Sequence, residues 1–203
     1  LMAASGLERV AADLKLLCIH QTVEGAQVGP SNFTFRGGPD VIRGGDIPGS
    51  LTAVLSGHIH RAQVLTRDLQ GRPLPAPVYY PGSIERTSTA EREEEKGYRL
   101  LNFQRASTEE NFLIQDTFIP LPARPMVDLH LNPDSTDRVY VLSLIQAELG
   151  SIPPDSIVRV YFDNLPDPWI STGITSAHLR RVAPEQMNIS LSSPVQRRNH
   201  PQK

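Results

Sequence analysis

Leu51-Thr52-Ala53-Val54-Leu55-Ser56-Gly57-His58-Ile59-His60 is the stretch that decides how this chain reads. The apolar run 51–55, closed by a glycine, predicts a buried strand, and two imidazoles follow it at i and i+2. On extended backbone such residues point to the same side, with Cα atoms roughly 6.5–7 Å apart. That arrangement suits two metal ions held about 3.5–4 Å from each other, each taking one histidine. A second apolar run, Lys15 to Ile19, predicts another buried strand and ends at His20. A polar residue leaving a buried strand at its C-terminal end is a common position for active-site chemistry. If the two strands are neighbours, the three rings converge. Neutral imidazole ligates Mn, Fe or Zn well, so His20, His58 and His60 are the candidate metal ligands. His130 alternates with Leu129 and Leu131 in a strand, His178 falls on a predicted helix and His200 lies near the end of the chain. These three are given no metal role.

Outward from this stretch, Leu7, Val10, Ala11 and Leu14 recur at helical spacing and predict an amphipathic helix over Met2 to Leu14. Residues 21–49 hold seven glycines and three prolines, too irregular for a long element, and loops of that length in compact domains tend to be functional. Gln63 to Arg67 and Val78 to Tyr80 read as strands. Residues 97–103 and 112–119 read as two antiparallel strands turning through 107–111 and closing the sheet. Glu91 to Lys96 is a charge run, expected to be a solvated loop. Pro120, Pro122 and Pro125 form a stiff linker, which puts a domain boundary near residue 122. Beyond it the pattern predicts strand 126–131, a helix over 135–149 with Val139, Leu142, Ile145 and Leu149 on its apolar face, and strand 157–162. A second helix over 174–182, capped by Ser171 or Thr172, and strand 187–191 complete the series. This makes a β-α-β-α-β module over residues 122–191, followed by a polar tail, 192–203, expected to be disordered.

Composition narrows the function classes. The chain has 203 residues, 39% of them hydrophobic, enough for one full domain and a smaller second one. No apolar run approaches the roughly 18 residues of a membrane span, and the N-terminus lacks the pattern of a secretory signal, so a cytoplasmic protein is expected. The net charge of −2 gives no overall basic footprint for nucleic acid, so phosphate recognition must come from local groups. Seventeen of the twenty basic residues are arginine, a composition that fits bidentate phosphate contacts. The single cysteine, Cys18, cannot form an internal disulfide and reads as a core strand residue. Leu1 ahead of Met2 raises the expectation of a truncated gene product.

Leu17-Cys18-Ile19-His20, Gly57-His58-Ile59-His60-Arg61, Tyr80-Pro81-Gly82-Ser83-Ile84-Glu85-Arg86-Thr87 and Lys96-Gly97-Tyr98 stand in an order and spacing that resembles the calcineurin-like metallophosphoesterases. The match is closest to their double-strand-break repair branch, the SbcD-type exonuclease subunit, and covers most of residues 10–120. The resemblance implies an α/β (α+β) fold. Residues 1–121 would be the C-terminal half of a four-layer α/β/β/α sandwich, and 122–191 a small β-α-β-α-β DNA-capping domain. It implies two divalent ions, manganese first and iron or zinc as alternatives, that activate water for attack on a phosphodiester. His20 and His58 would share one ion and His60 would bind the other. Ser83 and Arg86 after the Pro-Gly turn, and Arg61 beside His60, are candidate substrate contacts; each can equally serve as local structure. Arg180 and Arg181 are candidate DNA contacts of the cap. The implied partners are DNA and an SMC-like, SbcC-type ATPase subunit, with homodimerisation as a further option and no membrane.

The family's earlier blocks, Asp-x-His, Gly-Asp and Gly-Asn-His-Asp/Glu, do not occur ahead of His20. Asp128-Leu129-His130 and Gly45-Asp46 match two of them by letters only, since both lie on the wrong side of His20. Three histidines without a bridging carboxylate hold at most one ion, and weakly, so this chain by itself is expected to be inactive. No catalytic residue is assigned, because the leaving-group histidine belongs to the absent blocks. A three-histidine zinc site that acidifies a bound water stays as an alternative. The first functional reading is therefore the C-terminal portion of a metal-dependent DNA exonuclease. The alternatives are a non-catalytic module that binds DNA or the ATPase partner, and a gene fragment without independent activity.

Overall fold

Ala53, Val54 and Val78 are 0%, 1% and 0% exposed, as expected of strands inside a sheet covered on both faces. A computed structural model describes residues 6, 9–105, 112–165 and 173–192. The chain divides into two units, Leu1–Ala123 and Arg124–Lys203. The fold is mixed α/β, rich in strands and poor in helices.

The first unit is built on a four-stranded sheet of β1 (Leu16–Ile19), β6 (Ala53–Ser56), β7 (Gln63–Arg67) and β8 (Pro73–Tyr80), in the order β1-β6-β8-β7. β1, β6 and β8 run parallel and β7 pairs antiparallel with β8. Between β1 and β6 the chain makes only two-residue strands: β2 (Thr22–Val23) with β5 (Val41–Ile42), and β3 (Gln27–Val28) with β4 (Phe33–Thr34). This irregular stretch supplies Val23, Ala26 and Ile47 to the core, where they meet Val54, Ile59, Val78 and Tyr80.

Several expectations are corrected here. Residues 10–15 form no helix, and Val10 and Leu14 are 55% and 38% exposed, so the proposed apolar stripe covers nothing; its residues 2–5, 7 and 8 lie outside the described residues. Cys18 is exposed rather than packed, because β1 is the edge strand of the described sheet and its alternate side chain turns outward. β9 (Lys96–Arg105) and β10 (Phe112–Leu121) do not close the sheet but form a two-stranded antiparallel ribbon of their own, in register from Lys96↔Leu121 to Arg105↔Phe112. The expected turn between them lies outside the described residues. Pro120 belongs to β10 opposite Gly97, so the linker starts later than its prolines suggest. A Cβ on Gly97 would stand 2.2 Å from the Ile119 carbonyl oxygen, which leaves glycine as the residue that fits there.

The second unit follows the order β11 (Met126–Leu131), α1 (Arg138–Leu149), β12 (Ile157–Phe162), α2 (Ser176–Val182) and β13 (Asn188–Leu191). The three strands form a parallel sheet, β11-β12-β13. Val158, Val160, Phe162, Ile145, Leu149 and Leu179 form its core. The buried stripe of α1 is Val141, Ile145 and Leu149, while Val139, expected on it, is 76% exposed in the first turn. α2 starts later than expected, with Thr175 as its cap in place of Ser171 or Thr172, which lie outside the described residues. There the Thr175 hydroxyl accepts from the His178 amide while His178 Nδ1 accepts from the Thr175 amide. The tail 193–203 also lies outside the described residues.

Tyr80 ties the irregular stretch to the sheet. Its hydroxyl accepts from the Val23 amide at 2.8 Å and donates to the Gln21 carbonyl at 3.0 Å. Burial pushes that hydroxyl above the usual tyrosine range. Tyr80→Phe leaves the buried Val23 amide unpaired and is expected to cost about 1–3 kcal/mol in denaturant unfolding. An unchanged midpoint would show that the hydroxyl does not hold this segment.

Candidate functional site

β1 and β6 are parallel neighbours, with Ile19 opposite Ser56, so their C-terminal ends emerge side by side. His20 follows one end and His58 the other. The backbone around His20 is pinned: the Ser56 hydroxyl donates to the Gln21 carbonyl at 2.7 Å, and the Gly57 amide donates to the Ile19 carbonyl at 3.0 Å. A Cβ on Gly57 would lie 2.6 Å from His20 Nδ1, so the missing side chain is what lets the ring sit there. The His20 and His58 rings meet edge to face, 5.3 Å between centroids and 80° between planes.

The geometry beyond His58 differs from the extended segment expected. His58 has φ 70°, in the left-handed region, and the Ile59 amide donates to the Gly57 carbonyl at 2.8 Å. The cause is topological. Residues 57–62 must cross the end of β8 to enter β7, which no straight segment achieves. Ile59, 3% exposed, anchors the crossing in the core. His60 is thereby turned into a different set of contacts from His20 and His58, so the three rings do not converge in one cluster. His60 Nδ1 lies 3.0 Å from Glu91 Oε1 and 3.1 Å from the Thr87 hydroxyl, which itself donates to Glu91 Oε1 at 2.8 Å.

In the charge run that the sequence presents as a solvated loop, Arg92, Glu93 and Glu95 are exposed, while Glu91, Glu94 and Lys96 are folded in behind His60. Lys96 has a fully buried side chain, and its ammonium donates to Glu91 Oε2 at 2.7 Å, to Glu94 Oε2 at 3.3 Å and to the His60 carbonyl at 3.2 Å. A buried charge without partners costs several kcal/mol, so the two carboxylates are drawn inward with the lysine. Their acidic neighbours Glu93 and Glu95 are exposed, as the sequence pattern predicts; Glu91, Glu94, Lys96 and Thr87 are the site residues it missed. One signal was available: Lys96 is followed by Gly97 at the start of a strand, where a lysine points to one face or the other.

The three candidate substrate contacts are committed within the protein. The Arg61 guanidinium donates to Glu94 Oε1 at 3.0 Å, Asn32 Oδ1 at 2.7 Å and the Gly29 carbonyl at 2.7 Å. Arg86 donates to the carbonyls of Glu91 and Glu94, each at 3.2 Å. The Ser83 hydroxyl donates to the Glu85 carbonyl at 2.8 Å. Gly82, at φ 82°, is approached closely by the chain's own loop: a Cβ there would stand 2.9 Å from the Ala62 amide nitrogen. The candidate cap contact Arg180 likewise donates to the Met187 carbonyl at 2.9 Å.

His58 and His60 both line a cleft of about 300 Å³, together with Arg61, Ser88, Glu91 and Glu94. Two imidazoles on one tetrahedral ion, with metal–nitrogen bonds near 2.1 Å, place their ring centres about 5.3 Å apart. The His20–His58 separation therefore fits half the ligand shell of one ion. Among the described residues no three of His, Cys, Asp and Glu gather into a metal-binding group. No protein-family model and no curated protein matches this chain.

Burial by itself would raise the Glu91 carboxyl, but hydrogen bonds from Lys96, His60 and Thr87 outweigh it and hold its pKa at about 2, against 4.5 for the free side chain. A carboxyl depressed on folding contributes stability that is complete above its unfolded pKa and is lost as pH falls through the folded one. The first unit should accordingly lose stability between pH 4.5 and about 2. Glu91→Gln should flatten that part of the pH–stability profile. A profile of the same slope in both proteins would remove Glu91 from the account.

Proposed function

We propose that this chain supplies one wall of a metal-dependent phosphodiesterase site acting on DNA, as the resemblance of its motifs to the double-strand-break repair metallophosphoesterases implies. The observation that carries the reading is the His20–His58 contact at the C-terminal ends of two adjacent parallel strands, the position where α/β sheets place ligands. In this reading the four-stranded sheet and the β9–β10 ribbon belong to the two sheets of an α/β/β/α sandwich, and the second unit is its cap. The ions, manganese first, would polarise the phosphodiester and supply the attacking oxygen.

The residues of this chain have the holding roles. His20 and His58 present imidazole lone pairs, Gly57 leaves room for them, and Arg61 and Arg86 fix the surrounding loops. The bridging carboxylate and asparagine ligands would come from polypeptide other than these 203 residues. A second reading, a module that binds DNA or an SMC-like ATPase without catalysis, is favoured by the second unit. Its sheet carries a polar face where His130 stacks on Tyr161 at 4.7 Å and Asp128 takes two 2.7 Å hydrogen bonds from Arg159.

The test is manganese-dependent degradation of linear duplex DNA by the full gene product. Wild type is expected to cleave and His58→Ala to fall to background with its circular dichroism unchanged. Undiminished cleavage by His58→Ala overturns the metal assignment. Absence of cleavage by wild type, together with salt-dependent DNA binding, would favour the module.

A further inference from the structure

Glu91 is an acceptor for every group that meets it. Oε2 takes the Lys96 ammonium at 2.7 Å, and Oε1 takes the Thr87 hydroxyl at 2.8 Å. An ionised carboxylate has no proton to give, so the 3.0 Å contact between Oε1 and His60 Nδ1 is a hydrogen bond only if Nδ1 carries the proton. In the neutral ring the lone pair then resides on Nε2. With Nδ1 engaged by Glu91, Nε2 is the nitrogen left for a ligand on a 44% exposed imidazole that lines the same cleft as His58 and Glu91.

We propose that Glu91 is a positioning residue that fixes His60 as the Nδ1-protonated tautomer, with Nε2 as the donor atom facing the cleft. The inference rests on the metal-site reading above and deepens it, by assigning the residue that prepares the third histidine.

The machinery behind Glu91 makes the orientation specific. Lys96 holds the carboxylate from one side and the His60 carbonyl from the other, so one ammonium fixes both the backbone and the side-chain partner of the same histidine. Glu94 shares that ammonium and also takes Arg61, the residue after His60. Gly82 closes the arrangement from a third direction, since a Cβ there would stand 3.0 Å from the His60 carbonyl oxygen. Carboxylates that receive the second ring N–H of a histidine set its tautomer and raise its strength as a ligand, and losing them typically costs 10–100-fold in metal affinity.

The test is carried out on the full 203-residue chain. Long-range ¹⁵N–¹H correlation spectra of the metal-free protein, recorded where the ring is neutral, read the His60 tautomer, with His60→Gln used for assignment. Wild type is expected to show the proton of the neutral ring on Nδ1. Glu91→Gln keeps an acceptor for Lys96 and should shift the ring toward the Nε2-protonated form. Cobalt(II) titration followed by absorption should show affinity reduced about 10–100-fold in Glu91→Gln. A neutral wild-type ring protonated at Nε2 overturns the proposal whether or not cobalt binds. An Nδ1-protonated ring whose tautomer is unmoved by Glu91→Gln overturns it as well. An Nδ1-protonated ring that shifts in Glu91→Gln, in a chain that takes up no cobalt, upholds Glu91 as the positioning residue and counts against the metal-site reading alone.

Discussion

The Lys96 ammonium has no solvent contact, and that constraint organises the site. A charge buried to this degree must be matched by opposite charge and by hydrogen bonds for each of its protons. Glu91, Glu94 and the His60 carbonyl meet the requirement at 2.7, 3.3 and 3.2 Å. Each acceptor recruits a further element: Glu91 takes His60 and Thr87, and Glu94 takes Arg61, which reaches on to Asn32 and Gly29. One lysine at the first residue of β9 thus fixes the loop after β6 and the irregular stretch between β1 and β6.

His20 and His58 depend on a different constraint, that of parallel strands. β1 and β6 run together and stop together, with Ile19 opposite Ser56, so whatever residue follows each strand is delivered to the same edge of the sheet. Gly57 then permits ring contact that any side chain would obstruct. The two devices act on different histidines. Strand adjacency brings His20 to His58, while ionic burial claims His60. That separation is why the three form a contact pair and a carboxylate-linked ring instead of a single cluster.

The strands at 16–19, 53–56, 126–131 and 157–162 were legible from the apolar runs 15–19, 51–55, 126–131 and 157–162, because burial inside a sheet selects β-branched and apolar residues directly. The runs left the adjacency of β1 and β6 as a condition, and it is their parallel pairing that brings His20 to His58. Other features were not legible because the deciding force is non-local. The spacing of His58 and His60 gave no hint of the left-handed turn, which comes from the need to cross β8 on the way to β7. Glu91 and Lys96 read as solvated by local charge patterning, and their pairing with each other and with His60, 31 to 36 residues earlier in the chain, makes their burial favourable. Val10 and Leu14 have helical spacing, yet among the described residues nothing covers them, and spacing without a surface to pack on does not make a helix. Cys18 has apolar neighbours, but alternation along β1 turns its side chain to solvent.

The account stands most directly on the coupling between Lys96 and Glu91. A double-mutant cycle with Lys96→Met, Glu91→Leu and the combined variant, read from hydrogen-exchange stabilities at the Val54 and Val78 amides of the core strands, measures that coupling. Each single replacement takes the shortest partner from a buried charge and is expected to destabilise by about 3–5 kcal/mol, with the double variant recovering at least about 2 kcal/mol of the summed loss. Additivity to within about 0.5 kcal/mol would show that the two residues act independently and would contradict the claim that this ion pair builds the site.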